Sequence, residues 1–499
     1  MILFSKRRVF HLLGGAVVLL WIIMIGNLIK QVHFSDSVQA GGVVSNAYAV
    51  TETAAEWMEI TLKEKKIGYS MTQIIPLDKD YLIQEDIVMR LNLLGQPSVM
   101  RTFTRAVVDP RFILKNFKVR ISSGIVNFTI SGKVENDHII IEAGNDGEST
   151  PQKIKLSGPP MIGSGISHIF KGKALKDGES FEFFLFDPST MTQKQMTIQV
   201  AGNENVFLND RKYDAWRLET QMWGQDLVFW VDENGNVLKE KGMMGLTLVR
   251  SNAEKAVQDL EGEDTYDFYS MSSVPVKQNL HDVEQLSFLK MKVGGLKDSG
   301  FDPGGLDGGR QKFSGELLEI RKEILPRQAP YTLPFPDSSG EMKPFLQPEW
   351  TIQSENPMIR ALAGEIAGSS SNPVSVARKL MEWVYKNVEK KPVISVPSAL
   401  EVIRTKVGDC NEHAVLLVAL LRAVGIPARQ CVGLVYVHNR FYYHAWNEAF
   451  LGSWISMDAT LNQMPADVSH IKLLHGGLQE QAEIISLINK LTLEIEESR

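Results

Sequence analysis

Apolar and polar residues alternate along most of the first half of the chain. From Trp57 to about Asn252 this alternation is clearest in three runs: Met58, Ile60 and Leu62; Ile87, Met89, Leu91 and Leu93; and Phe117, Val119 and Ile121. A period of two sends successive side chains to opposite faces of a strand, so the runs are typical of half-buried strands. Turn-forming residues at 63–66 and 232–235 separate such runs. The pattern predicts a large antiparallel β domain over residues 43–290.

Helical spacing replaces this alternation near the C-terminus. Apolar residues recur at intervals of three and four behind the helix-start signal Ser371-Asn372-Pro373: Ala377, Leu380, Met381, Val384 and Val388. Ser398, with Glu401 three residues later, indicates a capping box that opens a short helix over residues 399–405.

A third helix follows Cys410 and is almost wholly apolar until Gly425-Ile426-Pro427 stops it. Three strands are expected after it, over residues 430–437, 441–450 and 454–457. These helices and strands together are interpreted as one domain over residues 351–499.

Glycine and proline dominate the stretch between these two regions. Seven glycines lie between Lys292 and Lys312, and prolines recur from Pro326 to Pro348. Such a composition predicts a connector over residues 291–350 that lacks a packed core of its own. The spacing of Asp302 and Asp307 matches no EF-hand, so a calcium loop is not expected.

The N-terminus begins with a basic cluster and an apolar run. Lys6, Arg7 and Arg8 precede residues 9–29, which contain no Asp, Glu, Lys or Arg. A run of this length predicts a transmembrane helix, for which about 20 residues suffice, so residues 1–30 are interpreted as a cytoplasmic N-terminus and membrane anchor. The alternative is a signal peptide cleaved after Val38-Gln39-Ala40.

The basic residues are expected to stay on the cytoplasmic side of the membrane. The chain is therefore predicted to be a single-pass inner-membrane protein whose bulk lies in the periplasm. The complete fold-class prediction is α+β, with an N-terminal transmembrane helix, a large antiparallel β domain and a C-terminal α+β domain.

The length of the chain and its net charge limit the number of domains and the classes of function to consider. A chain of 499 residues is too long for one hydrophobic core and predicts two to four domains. The formal net charge of -6 offers no large basic surface, so nucleic acid is not an expected partner. Cys410 and Cys431 are the two cysteines of the sequence, which rules out a disulfide-rich scaffold.

Cys410 is the first candidate for chemistry because it lies on the first turn of the apolar helix. A helix N-terminus carries partial positive charge and unpaired N–H groups, which lower a thiol pKa and can hydrogen bond an oxyanion. The alternative interpretation of a single cysteine is a small buried apolar residue.

His444 and Asp458 are the candidates for its partners. His444 lies on the second predicted strand, and Asp458 follows the third. A three-residue loop from Phe450 to Gly452 would pair Ala449 with Ser453 and place His444 directly opposite Asp458, on one face of the sheet. A two-residue loop would place them on opposite faces.

Four motifs together resemble the transglutaminase-like superfamily in its bacterial form. They are Gly-Asp-Cys-Asn-Glu-His-Ala at 408–414, Gly-Ile-Pro-Ala-Arg at 425–429, His-Ala-Trp-Asn-Glu at 444–448 and Trp-Ile-Ser-Met-Asp-Ala-Thr at 454–460. The resemblance covers about a quarter of the chain, near residues 357–476. One departure is Ala459, where the family usually has proline.

The resemblance implies a papain-like α+β fold and a cysteine enzyme. It makes Cys410 the nucleophile, His444 the general base and acid, and Asp458 the residue that orients the imidazole. It implies attack on amide or peptide bonds through a thioester, followed by hydrolysis or amine transfer, on a protein or peptide substrate with the cell envelope as one source. No cofactor and no metal are expected.

Other residues near the site have open interpretations. The Cys410 backbone N–H is a candidate oxyanion donor, and Trp383 is a weaker one. Trp446 shares a pleat face with His444, so it either walls the site or belongs to the core.

Two rival functions remain at this point. A metal site would draw on several cysteines and histidines, but their spacing matches no common zinc motif: Cys410, His413, Cys431, His438, His444, His470 and His475. The second rival is a non-catalytic membrane-anchored binding scaffold that carries a transglutaminase-like module. A Cys410–Cys431 disulfide would support that rival, whereas we expect Cys431 to be a buried strand residue.

Overall fold

The computed structural model describes residues 55–93, 96–123, 126–144, 151–208, 211–222, 225–242, 245–258, 273–299, 301–391 and 397–499. These residues fall into two compact units, one comprising the described residues up to 258 and the other those from 273 onward. The two units are considered separately below.

The described residues of the first unit form one sheet of fifteen strands and a short helix, α1 (Ala253–Val257). The strands are β1 (Ala55–Leu62), β2 (Lys65–Pro76), β3 (Tyr81–Leu93), β4 (Gln96–Val108), β5 (Leu114–Ser123), β6 (Val126–Glu135), β7 (His138–Ala143), β8 (Gln152–Lys155), β9 (Pro160–Met161), β10 (Ser180–Asp187), β11 (Thr192–Leu208), β12 (Arg211–Met222), β13 (Gln225–Val231), β14 (Val237–Lys241) and β15 (Leu246–Ser251).

The sheet is built from two meanders that meet at the first strand. Its order is β8 through β1 followed by β15 through β9, and neighbouring strands are antiparallel except β9 and β10. Alternate side chains are buried as the period-two pattern predicts, for example Met58, Ile60 and Leu62 on β1. The large antiparallel β domain expected from the sequence therefore agrees with the structure.

The interior of this unit also contains two carboxyl groups. Glu85 and Glu240 are both fully buried. Burial raises the pKa of each well above its usual value, and the negative charge of Glu85 raises that of Glu240 further. Both side chains are therefore expected to be protonated at neutral pH.

The second unit combines five helices and eleven strands among its described residues. The helices are α2 (Pro357–Ala367), α3 (Pro373–Asn387), α4 (Ala399–Thr405), α5 (Cys410–Ala423) and α6 (Leu478–Glu483). The strands are β16 (Val274–Pro275), β17 (Phe288–Gly294), β18 (Gln311–Ser314), β19 (Leu317–Arg321), β20 (Glu389–Lys390), β21 (Val407–Gly408), β22 (Ala428–Val437), β23 (Arg440–Phe450), β24 (Trp454–Met457), β25 (Ile471–His475) and β26 (Thr492–Ser498).

Helix α5 is the centre of this unit. Nearly all of its residues are buried, and it packs against α2, α3 and α4 as well as against strands β22 and β23. Among the described strands, β16, β23, β22 and β25 pair in that order, with β24 added to β23, and β18, β19, β17 and β26 form a second sheet. Glu389–Lys390 and Val407–Gly408 form a short parallel pair.

Asparagine or aspartate caps the helices whose starts the sequence indicates most clearly. The Asn372 side chain accepts a hydrogen bond from Val374 N at the start of α3, where Pro373 occupies the first turn. The capping box predicted at Ser398 is wrong. Ser398 makes no capping hydrogen bond, because its hydroxyl contacts the side chain of Gln353 instead.

The glycine-rich stretch is more ordered than the predicted connector. The end of strand β17 and all of β18 and β19 lie in the predicted connector, and Met291, Leu306 and Leu318 are buried. Its glycines permit close packing: a Cβ on Gly305 would lie 2.0 Å from the carbonyl oxygen of Leu473 on β25. The expected lack of a packed core is therefore wrong for this segment, while the domain limits inferred from the sequence stay a prediction.

Two parts of the fold-class prediction need correction. The described residues contain far more strand than helix, because the fifteen-stranded sheet outweighs the helical cluster around α5. No helix in the described part of the chain is long and apolar enough to cross a membrane. The longest of them, α3, has 15 residues, fewer than the about 20 that a bilayer requires.

The predicted transmembrane helix, within residues 1–30, lies outside the described residues. The predictions of an N-terminal transmembrane helix and of a single-pass inner-membrane location are corrected on this finding and are not carried further.

Candidate active site

Cys410 is the first residue of α5, as the sequence predicts. Asp409 caps the helix: its carboxylate accepts a hydrogen bond from Asn411 N at 3.0 Å, and Glu412 accepts one from Asp409 N at 3.1 Å. The adjacent Gly408 leaves room for this reciprocal cap, since a Cβ there would lie 2.2 Å from the Cβ of Glu412. The spacing of glycine, aspartate, cysteine and glutamate therefore follows from the construction of the helix start.

A gap at the edge of strand β23 places the cysteine beside the histidine. One edge of β23 pairs with β16 at Phe441 and with β24 from Asn447 onward. Between these two pairings, Ala445 N donates a hydrogen bond to Cys410 Sγ at 3.3 Å. The residue after His444 thus contacts the sulfur of Cys410 directly.

His444 and Asp458 meet through a register that differs from the predicted one. Phe450 pairs with Trp454 and Ala449 with Ile455, so the loop comprises residues 451–453 and the pairing is displaced by two positions. A displacement of two preserves the face to which each side chain points. The imidazole Nε2 of His444 lies 2.6 Å from Asp458 Oδ2, and both side chains are fully buried.

The carboxylate of Asp458 is held by backbone N–H groups as well as by His444. Its Oδ1 accepts hydrogen bonds from Thr460 N at 2.6 Å and Leu461 N at 3.0 Å. Two backbone hydrogen bonds with Gln463 close the turn around Ala459. Alanine at the position usually taken by proline therefore still permits an ordered turn here.

The hydrogen bonds define the protonation state of this pair. Burial alone would raise the pKa of Asp458, but its interactions with His444 and His470 hold it below its usual range. An ionised Asp458 requires His444 to carry its proton on Nε2. Among the described residues, His444 Nδ1 has no hydrogen-bond partner, so its lone pair is available to accept a proton.

A second histidine, His470, contacts the same carboxylate. Its Nε2 lies 3.0 Å from Asp458 Oδ2, and its Nδ1 lies 3.2 Å from Asp467 Oδ1. Sequence reasoning considered His470 only as a metal ligand and did not consider Asp467. The available signal was the spacing of an aspartate and a histidine three residues apart in a turn just after Asp458.

Cys410 is more enclosed than the sequence suggests. It is 1% exposed. Burial raises the pKa of its thiol well above the usual value, the Asp409 charge raises it further, and the hydrogen bond from Ala445 N opposes both. The lowered pKa expected from the helix N-terminus is therefore wrong for this closed site.

Helix α6 and the turn after it cover the site. A cavity of about 10 Å³ adjoins His444 and Ala445, and Gln481 and Ile484 line it from this C-terminal segment. Gln481 Nε2 donates a hydrogen bond to Asn411 Oδ1, one residue after the cysteine, at 2.9 Å. The cavity has room for about one water molecule.

The remaining candidates take structural positions. Trp446 stacks against His444 with ring centroids 6.2 Å apart and is 2% exposed, so it is a core residue that contacts the site. Trp383 packs against the helical core around α5, and His413 Nδ1 contacts Asp409 O at 2.6 Å. Cys431 is a free, buried residue of β22, so neither cysteine is held in a disulfide.

Two clusters in the described residues have the composition of a metal site. His444, Asp458 and His470 form one, and Cys431, Glu448 and His475 form the other. In the second cluster Glu448 already accepts two hydrogen bonds from Arg429 and one from His475. Four residues of the metal site considered from the sequence lie in these clusters, Cys431, His444, His470 and His475, whereas Cys410 and His413 lie in neither.

A comparison with protein families matches one part of the second unit. The model of the transglutaminase-like superfamily matches residues 360–459, a range that contains Cys410, His444 and Asp458. The chain therefore contains a transglutaminase-like domain. A comparison with curated proteins gave no match.

Three solved structures are similar to parts of the chain. A "putative cysteine protease" from Cytophaga hutchinsonii is 22% identical over 43% of this chain and 87% of its own, with a TM-score of 0.29. A beta-barrel-like protein of unknown function from Brucella abortus is 13% identical over 40% and 95%, with a TM-score of 0.31. A "putative protease" from Parabacteroides distasonis is 10% identical over 77% and 67%, with a TM-score of 0.22.

Proposed function

We propose that this protein is a cysteine enzyme that cleaves or transfers amide or peptide bonds through a thioester on Cys410. The proposal rests on the contacts that surround His444. Its Nε2 is held by Asp458 at 2.6 Å, its Nδ1 is unoccupied among the described residues, and the next residue contacts the Cys410 sulfur. A base that a carboxylate orients, carried by the residue next to the one that contacts the sulfur, is the arrangement that supports a triad of nucleophile, base and orienting acid.

The chemistry follows from these positions. The Cys410 thiol transfers its proton to His444 Nδ1, and the sulfur attacks the carbonyl carbon of an amide. The carbonyl oxygen becomes an oxyanion, for which the N–H groups at the start of α5 are candidate donors. Its collapse breaks the C–N bond, and His444 returns the proton to the departing amine. Water or a second amine then releases the acyl group from the thioester.

The closed site adds a requirement for substrate entry. A cavity with room for about one water molecule cannot admit a peptide carbonyl and its flanking atoms. Gln481 and Ile484 must therefore move away from Asn411 and His444 before a protein or peptide substrate can bind. We propose such a substrate because the attacked bond in this reaction is an amide.

Matched cysteine variants test the proposal. The full-length protein would be incubated with a glutamine-containing peptide library and a fluorescent primary amine, with peptide cleavage and amine incorporation both measured. Cys410→Ala is expected to abolish both activities, whereas Cys431→Ala, which removes the other buried thiol, is expected to keep them. Equal activity in Cys410→Ala and the wild type would refute the triad.

The observation that favours a second candidate is the cluster of His444, Asp458 and His470, whose composition also suits zinc. In that case a chelator would abolish activity and Cys410→Ala would retain it. Under the triad proposal a chelator has no effect. A protein without either activity, which alkylating reagents fail to label at Cys410, would fit the non-catalytic scaffold instead.

A further inference from the structure

The side chain of Gln481 brings a carboxamide into the cavity beside His444. Its Nε2 donates a hydrogen bond of 2.9 Å to Asn411 Oδ1, and both side chains are buried. The cavity is lined by Asn411 and Gln481 together with His444 and Ala445. Because Ala445 N contacts the Cys410 sulfur at 3.3 Å, an amide group of the chain itself lies beside the proposed reacting pair.

The backbone position of Asn411 is fixed by the start of helix α5 and not by Gln481. Asn411 is the second residue of this helix, and its backbone N–H donates a hydrogen bond to the Asp409 carboxylate. Glu412 completes the same cap by accepting a hydrogen bond from Asp409 N. When α6 moves away, Asn411 Oδ1 therefore loses its donor while its backbone keeps its place at the cavity.

An amide N–H of the substrate can replace the donor that Asn411 loses. A side-chain amide oxygen in an enclosed site needs a donor, because a buried acceptor without one is unfavourable. The proposed reaction brings an amide to this cavity, since an amide is the group that Cys410 attacks. Gln481 presents the same chemical group to Asn411 while the site is closed.

The carboxamide of Gln481 is only partly satisfied in the closed site. Its Nε2 is bonded to Asn411, whereas its Oε1 is buried and has no hydrogen-bond partner among the described residues. A substrate amide that donates to Asn411 and whose oxygen also finds a donor makes one hydrogen bond more than Gln481 does. Exchange of Gln481 for such an amide is therefore favourable.

We propose that Asn411 is a specificity-determining residue whose side-chain oxygen accepts a hydrogen bond from an N–H of the reacting amide, a place that Gln481 occupies in the closed protein. This inference rests on the proposed function, because it gives Asn411 a substrate contact only if Cys410 attacks an amide. It narrows the substrate class to amides that carry an N–H. Peptide bonds to a proline nitrogen, which has no N–H, are disfavoured.

The test measures peptide binding to the Cys410→Ala protein, in which the attacking sulfur is absent. Two forms of one peptide are compared: the library peptide with the highest wild-type turnover, and its ester analogue, in which oxygen replaces the N–H of the reacting amide. The ester leaves Asn411 Oδ1 unpaired, so it is expected to bind about 5- to 150-fold more weakly than the amide.

Two variants of Asn411 in the Cys410→Ala background locate the origin of this preference. Asn411→Leu has a similar size and no acceptor, so it should reduce the preference for the amide by at least about fivefold. Asn411→Asp keeps an acceptor and should retain the preference. A preference that is unchanged in Asn411→Leu would overturn the inference. If Asn411→Leu does not fold, Cys410→Ala alone decides, because equal binding of the amide and the ester would overturn it.

A second readout separates substrate binding from a role in holding α6. Asn411→Leu and Gln481→Ala remove the same internal hydrogen bond, so each should speed alkylation of Cys410 by about 2- to 13-fold. In the Cys410→Ala background, Gln481→Ala should tighten binding of the amide peptide, because the competing carboxamide is gone. Asn411→Leu should leave that binding nearly unchanged, because the acceptor is lost from the closed form and from the complex alike.

The exposed residue Gln328 supplies the control, and Gln328→Ala should change neither alkylation nor binding. Equal tightening of amide binding in Asn411→Leu and Gln481→Ala would show that Asn411 only anchors α6, and would overturn the inference.

The two proposals fail in distinguishable ways. Full activity in Cys410→Ala, or a library in which no peptide is turned over, would remove the proposed function and the role of Asn411 with it. A peptide whose turnover requires Cys410, and whose preference over its ester is unchanged in Asn411→Leu, would leave the proposed function in place and remove only the role of Asn411.

Discussion

Replacing Gln481 by alanine is expected to speed alkylation of Cys410 by about 2- to 13-fold, because the segment that covers the site loses one of its attachments. In the structure, Gln481 donates a buried hydrogen bond to Asn411 at 2.9 Å, beside a cysteine that is 1% exposed. We expect a reagent to reach the sulfur when helix α6 and the following turn have moved. The alkylation rate should therefore follow the fraction of molecules in which this segment is open.

The magnitude comes from the energy of one hydrogen bond. A neutral intramolecular hydrogen bond contributes about 0.5 to 1.5 kcal/mol net. Its loss raises the open fraction by about 2- to 13-fold, since 1.4 kcal/mol corresponds to about a factor of ten. The rate follows this fraction when closing is faster than the reaction with the reagent, a condition that low reagent concentration satisfies.

The assay compares the two cysteines within one molecule. Iodoacetamide labelling would be followed by peptide mass spectrometry at Cys410 and Cys431, with Gln328→Ala, an exposed glutamine, as the control variant. The Cys410 rate should rise in Gln481→Ala alone, while the rate at Cys431, within strand β22, stays unchanged. An unchanged Cys410 rate, or an equal rise at both thiols, would refute the idea that this segment controls access.

Three further changes test other parts of the structure. Asp458→Asn should lower turnover by roughly 10³- to 10⁴-fold at saturating substrate, as loss of the acid does in serine triads; a decrease below tenfold, measured by initial rates, would contradict its role. Glu240→Gln should raise the melting temperature at pH 8 and leave it nearly unchanged at pH 4. In the folded protein the raised pKa of Glu240 keeps its side chain protonated, whereas the unfolded chain releases the proton above about pH 4.3. The unfolding free energy therefore falls by about 1.4 kcal/mol per pH unit up to the folded pKa. A difference in melting temperature that does not depend on pH would argue against this. Gly305→Ala should lower the unfolding free energy by about 1 to 3 kcal/mol in urea titrations, because its Cβ would meet the Leu473 carbonyl. The control Gly364→Ala has open space in helix α2 and should not destabilise the protein, and equal effects of the two changes would contradict the packing argument.

The strands and helices could be predicted because their signals are local. Alternation on β1, β3 and β5, and the capped start of α3, depend on residues a few positions apart. The prediction for the glycine-rich stretch was wrong because glycine can permit either a flexible backbone or close backbone packing. In the sequence Gly305 suggests flexibility. In the structure its missing side chain allows the backbone to pack against β25, which is a contact between distant parts of the chain.

The candidate site was accessible from the sequence for a similar reason. The period of two guarantees that an error of two in register leaves His444 and Asp458 on one face, so their proximity could be inferred although the predicted pairing was wrong. His470 could not be found in this way. It lies in a turn, and its place between Asp458 and Asp467 depends on Arg310, more than 150 residues earlier in the chain.

The thiol pKa shows the limit of a local argument most clearly. A helix N-terminus lowers the pKa of a cysteine when the site is open to solvent. The sequence contains no local sign that Gln481 and Ile484 close over the site, or that burial and the charge of Asp409 raise the pKa of the Cys410 thiol. Burial by residues far from Cys410 in sequence therefore determines that the pKa of its thiol is raised.

The most direct test of the central claim is to trap the acyl group on the enzyme. The Cys431→Ala protein would be mixed with an amide donor, quenched in acid and examined by intact-mass and peptide mass spectrometry. The account predicts a mass increase equal to the acyl group on the peptide that contains Cys410, released by hydroxylamine at neutral pH as a thioester is, and absent from Cys410→Ala. Amide turnover without this adduct, or the same adduct on the Cys410→Ala protein, would contradict it.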